Sequence, residues 1–386
     1  MADSYLIKNG DIYDGSGGSA RQVDVRVSGE TITEIGPGLS SRPGESVLDA
    51  SGLIVAPGLI DLHTHVFTGI GRWSLRPDQA GLRTGVTTML DTGTAGALTY
   101  EAFHHLVMPS AQEDIFALLN IALIGCLQGY PDELPASIGE LADARLAHAP
   151  SAIACINRHP DRIVGVKVRL SASLAENRAE NEQVGFTQAL AAAHATGLPL
   201  MVHHAASQIP LPELLSRLCP GDIYTHLYHP QVDGGFTGKV ALTAMQAARG
   251  RGVMFDVGHG KGAFAWAVAE RACGEYGFWP DTISTDIHHF NLHGPVIDLP
   301  TTMSKFLALG MPLEAIIAAT TLAPARAMRL EHRFGSLLPG RQADITLLRR
   351  EPGEWSLTDV LGNVRIAPER LRAVQVFKRG VLHPIE

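Results

Sequence analysis

The middle of the chain alternates short, continuously apolar segments with longer Ala-rich stretches, and this alternation restricts the possible folds most strongly. Strands that are apolar on both faces are buried on both faces, as in a parallel sheet covered by helices. Eight strand–helix units predict an α/β fold, a (β/α)8 TIM barrel, with a doubly wound open sheet as the alternative. The candidate strands are LIDLH (59–63), VTTMLD (86–91), FALLNIALI (116–124), RIVGVKV (162–168), LPLMVH (198–203), DIYTH (222–226), GVMFDV (252–257) and TISTD (282–286).

The two ends of the chain have a different texture, because short strands there are separated by turns. Asn9-Gly10 is a hairpin signal within the first of these regions. Neither end alone has enough strands for a stable sandwich. We therefore predict that residues 1–57 and 335–386 form one small β-sandwich domain, and that the barrel, residues 58–334, is inserted between them. Within the barrel, residues 181–197 predict a helix that stops at Gly197.

Composition excludes several classes of protein. Hydrophobic residues make up 45% of the 386 residues, enough for a large core, and the net charge is −8 with no cluster of Lys and Arg. These numbers argue against a nucleic-acid partner. The N-terminal residues lack the pattern of a signal peptide, and the apolar segment 115–125 is too short to cross a bilayer. Four scattered cysteines suit a reducing compartment, so we expect a cytoplasmic enzyme without a membrane partner.

Residues of metal-ligand type stand at the ends of five of the eight candidate strands. The carboxyl ends of barrel strands meet at one mouth, where functional groups gather. Imidazoles and a carboxylate, without a thiolate, suit Zn²⁺ and also Mn²⁺, Fe²⁺ or Ni²⁺. The residues are His63 and His65 on the first strand, Lys167 on the fourth, His203 and His204 on the fifth, His226 on the sixth and Asp286 on the eighth.

Each of these residues also has an ordinary structural interpretation. A His-x-His pair arises by chance, His226 would suit the edge of a core, Asp286 could cap a helix, and Lys167 could form an ion pair. Their joint occurrence favours a metal site. Two cations about 3.5–4 Å apart would share a hydroxide and polarise a carbonyl, with Asp286 as the catalytic proton shuttle.

Three segments carry a resemblance to a known family. PGLIDLHTH (57–65), GVTTMLDTG (85–93) and PGRQADITLL (339–348) resemble the strand-1, strand-2 and C-terminal signatures of the amidohydrolase superfamily, on its dihydroorotase-like side. Within the superfamily the chain looks most similar to the amidohydrolase/deacetylase metallohydrolases. Some of that group hydrolyse N-acetyl or O-acetyl carboxylic acids.

The resemblance implies a binuclear centre with a defined set of ligands. His63, His65 and Asp286 would hold the first metal ion, and His203 and His226 would hold the second. Lys167, carboxylated by CO₂, would bridge the two divalent ions, for which Zn²⁺ is expected. On strand 5 the resemblance favours His203 over His204 as the ligand.

Further residues are candidates for binding substrate. His259 lies in the glycine-rich segment FDVGHGKGAF (255–264), whose alternative role is a structural turn. Tyr228 and His288 each follow a predicted ligand by two positions, although a surface loop would explain them equally. Arg169 and Arg72 would suit a substrate carboxylate, or would form ordinary salt bridges.

Three functions are consistent with this sequence. The first is a metal-dependent, deacetylase-type hydrolase that cleaves an amide or ester bond in a small acylated carboxylic acid. The second is hydrolysis of a cyclic amide, as in dihydroorotases and hydantoinases. The third is a non-catalytic scaffold of the same fold, which the filled ligand positions disfavour. The expected partner is a small-molecule substrate. The sequence does not determine the oligomeric state, and a homo-oligomer is possible by analogy with relatives.

Overall fold

Three β-sheets organise the chain in the computed structural model, which describes residues 4–71, 73–126 and 138–385. The strands in chain order are β1 (Ser4–Lys8), β2 (Asp11–Ile12), β3 (Asp24–Ser28), β4 (Thr31–Gly36), β5 (Ser46–Asp49), β6 (Ile54–Pro57), β7 (Leu59–Thr64), β8 (Val86–Gly96), β9 (Asp114–Asn120), β10 (Ile163–Leu170), β11 (Leu200–His204), β12 (Ile223–Thr225), β13 (Met254–Phe255), β14 (Ile345–Thr358), β15 (Val364–Lys378) and β16 (Val381–Pro384). The α-helices are α1 (Pro77–Ala80), α2 (Tyr100–Ala102), α3 (Ala149–Arg158), α4 (Ala179–Thr196), α5 (Leu211–Arg217), α6 (Lys239–Gly250), α7 (Trp266–Glu270), α8 (Leu299–Ala308), α9 (Leu313–Ala319) and α10 (Leu322–Ala327).

Seven parallel strands form the barrel wall, in the order β7-β8-β9-β10-β11-β12-β13. Strands β7, β8, β9 and β10 are buried along their whole length, as expected for a sheet covered on both faces. The curled parallel sheet confirms the predicted α/β barrel class. Helix α4 confirms the predicted helix, which ends where Gly197 adopts a left-handed φ of 67°.

The eighth predicted strand, residues 282–286, closes the barrel without forming a regular ladder. Isolated parallel bridges join Thr282 to Asp256 on one side and Ile287 to Thr64 on the other. Side chains complete the closure, because the Asp61 carboxylate accepts hydrogen bonds from the backbone N–H and the hydroxyl of Thr285. The expectation of a regular strand is wrong here, because backbone hydrogen bonds from Val257, His259 and Gly260 pair this segment on one side only. On the other side the Asp61 carboxylate takes their place at Thr285.

The third predicted strand is shorter than expected and ends at Asn120. The Asn120 amide donates to the carbonyl of Gly93 at 3.0 Å and accepts from the backbone of Ala122 at 2.9 Å. The side chain therefore takes over the hydrogen bonding of the backbone, and the chain turns. Apolar residues 121–124 continue the pattern in sequence but not the strand.

Strands from the two ends of the chain mix in the smaller sheets. One sheet has the order β4-β3-β1-β5, and the other has the order β16-β15-β14-β6-β2. Residues from both ends, including Ile7, Val55, Ile345 and Phe377, share one buried apolar cluster. The exact division into residues 1–57 with 335–386 and residues 58–334 stays a prediction. No helix in the described ranges is both long and apolar enough to span a membrane.

A buried lysine joins the terminal sheet to the barrel. The Lys378 ammonium on β15 bonds to Asp114 at 2.6 Å, to Asp344 at 2.7 Å and to the carbonyl of Thr87 at 3.0 Å. Burial opposes ionisation of Asp114, but Lys378 outweighs it, and the pKa of this carboxyl falls from 3.8 to about 2. The three acceptors satisfy every N–H of the ammonium, which makes its burial tolerable.

We expect Lys378→Met to lower the free energy of unfolding by about 3–5 kcal/mol, because it removes the buried cation that Asp114 and Asp344 share and leaves Asp114 only the more exposed Arg379. Since Asp114 has a depressed pKa in the folded state, its contribution is present above about pH 4 and is lost as the pH falls through about 2. Urea-induced unfolding at neutral and acidic pH measures both effects. The exposed Lys239→Met is the matched control. Equal stability of the two variants would contradict this role.

Candidate active site

The strand ends bring the six predicted metal ligands into one cluster, in which all but the half-buried His203 are buried. The Nε2 atoms of His65 and His63 lie 3.0 and 3.4 Å from Asp286 Oδ1. Lys167 Nζ lies 3.4 Å from His63 Nε2. The ring of His226 is centred 5.1 Å from that of His63 and 4.4 Å from that of His203. Possible ligand atoms of His63, His65 and Asp286 all lie within 4.8 Å of one another.

Three of the four imidazoles are held through their Nδ1 atoms. His65 Nδ1 contacts Thr94 Oγ1 at 2.7 Å, and His226 Nδ1 donates to the carbonyl of Gly258 at 2.6 Å. His63 Nδ1 lies 3.0 Å from Thr225 Oγ1. These bonds leave the Nε2 atoms directed at the cluster, as expected of histidines that bind metal through that nitrogen.

Asp256 is the centre of a second layer of polar residues behind His63. Its carboxylate accepts hydrogen bonds from Thr225 Oγ1 and Thr282 Oγ1, both at 2.7 Å, and from Ser284 Oγ at 2.8 Å. Because Thr225 donates to Asp256, its oxygen is free to accept from His63. Sequence reasoning missed Thr94, Thr225 and Asp256. The one signal was for Asp256, an aspartate at the next-to-last position of the apolar run GVMFDV.

Burial determines the protonation of the cluster. It lowers the pKa of His63, His65 and His203 well below the usual value and that of His226 to about 3, so the imidazoles are neutral. It also lowers the pKa of Lys167 to about 7. The nitrogen atoms of these side chains therefore carry lone pairs that are not taken up by protons.

The Asp286 carboxylate shows that this arrangement fits a cation. Its Oδ1 atom is buried and accepts no hydrogen bond from any residue in the described ranges, although it faces two imidazole nitrogens. A buried acceptor without a partner is costly unless something positive completes it. Neutral imidazoles and a carboxylate around one point are the ligands that Zn²⁺ and similar divalent ions take.

Unusual backbone conformations aim the side chains at this point. His226 and Asp286 have φ values of 67° and 47°, and Gly258 and Gly260 have φ values of 46° and 55°. A non-glycine residue at positive φ costs of order 1–3 kcal/mol and clusters at functional sites. The strand ends therefore bend sharply where their last side chains enter the cluster.

The two neighbouring histidines of β11 have different surroundings. His203 contacts His226 inside the cluster. His204 points to the opposite face, as alternation along a strand requires, and its Nε2 bonds to the carbonyl of Ile209 at 2.8 Å. The geometry therefore supports His203, and not His204, as the ligand on this strand.

Two of the candidate substrate-binding residues are not available for that role. The hydroxyl of Tyr228 donates to the carbonyl of Phe278 at 3.2 Å, and its ring packs among core aromatics. His259 uses both ring nitrogens, since Nε2 lies 2.6 Å from Lys305 Nζ and Nδ1 lies 2.9 Å from the carbonyl of Gly260. Both side chains turn into the protein interior, where these contacts occupy them, so the structure gives no support to the substrate-binding role predicted for Tyr228 and His259.

His288 and Arg169 do lie beside the cluster. The ring of Trp73 is centred 4.4 Å from that of His65 and 4.5 Å from that of His288. The Arg169 guanidinium lies 5.5 Å from the centre of the same ring and pairs with Glu140 through two hydrogen bonds of 2.7 and 2.9 Å. Arg72 falls outside the described residues.

Comparison with known proteins assigns the family. The model of the amidohydrolase family matches residues 237–380. A deacetylase of Agrobacterium fabrum is 32% identical over 352 residues, which cover 91% of this chain and 84% of the relative. This chain belongs to the amidohydrolase family. A deacetylase of Enterococcus faecalis is also 32% identical, over 98% of both chains.

Solved structures agree with this assignment. A dihydroorotase crystal structure superposes with a TM-score of 0.88 at 28% identity and covers 100% of this chain and 99% of its own. An adenine deaminase gives a TM-score of 0.87 at 30% identity, with full coverage of both chains. The amidohydrolase described here is accordingly a metal-dependent hydrolase.

Gly258→Ala tests the tight packing behind the cluster. An added methyl group would overlap Thr225 Oγ1 and approach His226 Nδ1 to 2.9 Å and His63 Nδ1 to 3.1 Å. We expect the free energy of unfolding to fall by about 1–3 kcal/mol and hydrolysis to fall with it. Gly262→Ala is the control, because its methyl group would meet no atom within 4 Å. The same behaviour of both variants in denaturation and activity assays would refute this interpretation.

Proposed function

We propose that this amidohydrolase is a binuclear, deacetylase-type enzyme that removes an acyl group from a small carboxylic acid. One observation carries the proposal most directly. A buried carboxylate oxygen of Asp286, without a hydrogen bond, faces neutral imidazoles from the first barrel strand. Deacetylases that match nearly the whole chain support the choice of acyl group.

The six residues divide between two cation positions. His63, His65 and Asp286 would hold the first cation, for which we expect Zn²⁺. His203 and His226, whose rings are 4.4 Å apart, would hold the second. When bound, the two cations polarise the scissile carbonyl and lower the pKa of a water toward about 7.

Lys167 would supply the bridge between the two positions. Its amine is fully buried with His63 Nε2 at 3.4 Å and Met201 Sδ at 3.2 Å as its hydrogen-bonding neighbours. Since burial lowers its pKa to about 7, much of the amine is neutral at physiological pH. The neutral nitrogen would attack CO₂: as the N–C bond forms, one C=O π pair moves onto oxygen and the extra proton of the nitrogen passes to solvent. The product would be a carbamate with two oxygen atoms that can serve as ligands.

Asp286 would move the proton of the reaction. Its carboxylate stands between the first-strand imidazoles and the Gly260 turn, where an added methyl group would overlap Oδ2. Burial raises the pKa of Asp286, which makes it a better proton acceptor at neutral pH. It takes the proton from the attacking water and delivers it to the leaving nitrogen or oxygen.

Arg169 would bind the carboxylate of the substrate. It lies two residues after Lys167 on β10, so both side chains point to the same face. Glu140 occupies Nε and Nη2, whereas Nη1 makes no hydrogen bond to any described residue, and the side chain is 10% exposed. A guanidinium edge that faces the mouth is suited to a carboxylate.

Hydrolysis of a cyclic amide is the second candidate. The dihydroorotase structure with a TM-score of 0.88 favours it. In sequence, however, a dihydroorotase of Citrifermentans bemidjiense matches only 36% of this chain, at 34% identity, whereas the deacetylases match 91% or more. We therefore rank removal of an acyl group first.

Metal analysis of purified protein tests the centre. We expect about two equivalents of divalent metal per chain. Lys167→Ala should lose at least one of them and reduce kcat at least about 100-fold, because the bridging ligand is removed. The exposed Lys239→Ala is the control for loss of a lysine. Full metal content and full activity in Lys167→Ala would disprove the proposed centre.

A panel of substrates tests the acyl group and Arg169 together. N-acetyl amino acids and acetylated hydroxy acids are assayed beside dihydroorotate, hydantoin and the carboxamides of the same N-acetyl amino acids. We expect the acids to exceed their carboxamides in kcat/KM by about 10–100-fold, through one charge-assisted hydrogen bond. In Arg169→Met the preference for the acid over its carboxamide should disappear. A general loss of stability lowers kcat/KM for both substrates alike and therefore does not change their ratio. Turnover of cyclic amides alone would favour the second candidate.

A further inference from the structure

Lys305, on α8, is a second buried lysine at the mouth of the barrel, and it takes no part in the reaction proposed above. Its Nζ lies 2.6 Å from His259 Nε2, 2.7 Å from the carbonyl of Thr358 and 2.9 Å from the carbonyl of Pro295. Among the described residues no carboxylate forms an ion pair with it. These three partners belong to three separate segments, namely the loop after β13, the loop after residue 287 and the end of β14.

The hydrogen-bond pattern fixes the protonation of this cluster. His259 Nδ1 lies 2.9 Å from the carbonyl oxygen of Gly260. Because a carbonyl oxygen can only accept a hydrogen bond, the hydrogen of the neutral imidazole is on Nδ1. Nε2 therefore offers a lone pair, and the Lys305 ammonium donates to it. With two carbonyls as further acceptors, all three N–H bonds of the ammonium are used.

The turn that carries His259 lies directly behind two predicted metal ligands. Gly258 O accepts the hydrogen bond from His226 Nδ1 at 2.6 Å. The backbone of His259 and Gly260 donates to the carbonyls of Ser284 and Thr285, which precede Asp286. The position of the Gly258 carbonyl, and with it the direction of the His226 ring, thus depends on this turn.

We propose that Lys305 is a positioning residue for the second metal ion: by fixing His259 it fixes the Gly258 carbonyl that orients His226. The inference rests on the two-cation centre of the proposed function. The hairpin of β14 and β15 also helps to hold this turn. The carbonyl of Thr358 accepts from the Lys305 ammonium, and Val360 N donates to the carbonyl of Phe264 at 3.1 Å.

Loss of the ammonium should affect the two metal positions unequally. His63 and His65 have anchors of their own in Thr225 and Thr94, which do not contact Lys305. Among the described residues, His226 Nδ1 has only the Gly258 carbonyl as a hydrogen-bond partner. The turn also supports the segment before Asp286 through the backbone bonds to Ser284 and Thr285. The second position should therefore weaken more than the first, a pattern that a general loss of stability would not produce.

Titration of the metal-free full-length protein with Co²⁺ tests this proposal. Competition with a chromophoric chelator measures the affinity of each equivalent, and the visible d–d absorption of Co²⁺ reports its geometry. For Lys305→Met we expect the second equivalent to bind on the order of 10-fold or more weakly, with the first changed by less than about 3-fold. His259→Leu should behave likewise, whereas His259→Gln, which retains an acceptor for Lys305, should recover much of the affinity.

Lys378→Met is the matched control, since it removes another buried lysine far from the mouth and should change neither Co²⁺ affinity. Unchanged affinities in both Lys305→Met and His259→Leu, with two equivalents in the wild type, would overturn the positioning role alone. An equal fall at both positions would overturn it as well. If the wild type itself binds a single equivalent, the binuclear centre fails and this inference fails with it. Should Lys305→Met not fold, the two His259 variants give the same comparison.

Discussion

The contact between Asp61 and Thr285 determines how the barrel closes, and the active site depends on that closure. The buried Asp61 carboxylate accepts from the backbone and the hydroxyl of Thr285. It thereby attaches the segment before Asp286 to the strand that carries His63 and His65. Directly after this anchored segment, Asp286 adopts a φ of 47°, which turns its side chain toward the imidazoles.

The chemistry of the site follows from how completely it is buried. Water would solvate an imidazolium or an ammonium, but the protein interior does not. The histidines are therefore neutral, and the pKa of Lys167 is lowered to about 7. The same burial makes an unpaired Asp286 oxygen costly. The apo protein therefore holds ligands in a protonation state suited to a cation, and binding of the cation relieves an energetic cost of the fold.

Most of the barrel and its ligand cluster could be predicted from the sequence, because strands and strand ends have a regular period. His63, His203 and His226 follow apolar runs, and alternation along β11 separates His203 from His204. Loops have no such period, so the orientation of Tyr228 and His259 could not be predicted, and the structure supports neither of the two substrate-binding predictions. Thr94, Thr225 and Asp256 are ordinary polar residues in sequence, and only their contacts with the histidines show their role. The partner of Lys305 is 46 positions away in the chain and lies beyond any local pattern.

The attachment of β14 and β15 to the barrel has a consequence for biosynthesis. Lys378 bonds to Asp114 of β9 and to the carbonyl of Thr87 in β8, and Thr358 contacts Lys305 at the mouth of the barrel. Asp114, which is made early in translation, therefore cannot form this contact until Lys378 has been made 264 residues later. While the ribosome is still elongating the chain, the nascent barrel lacks the contacts of Lys378 and of Thr358, so one end of its sheet and its catalytic pocket are incomplete. Chaperones would be most useful during that interval.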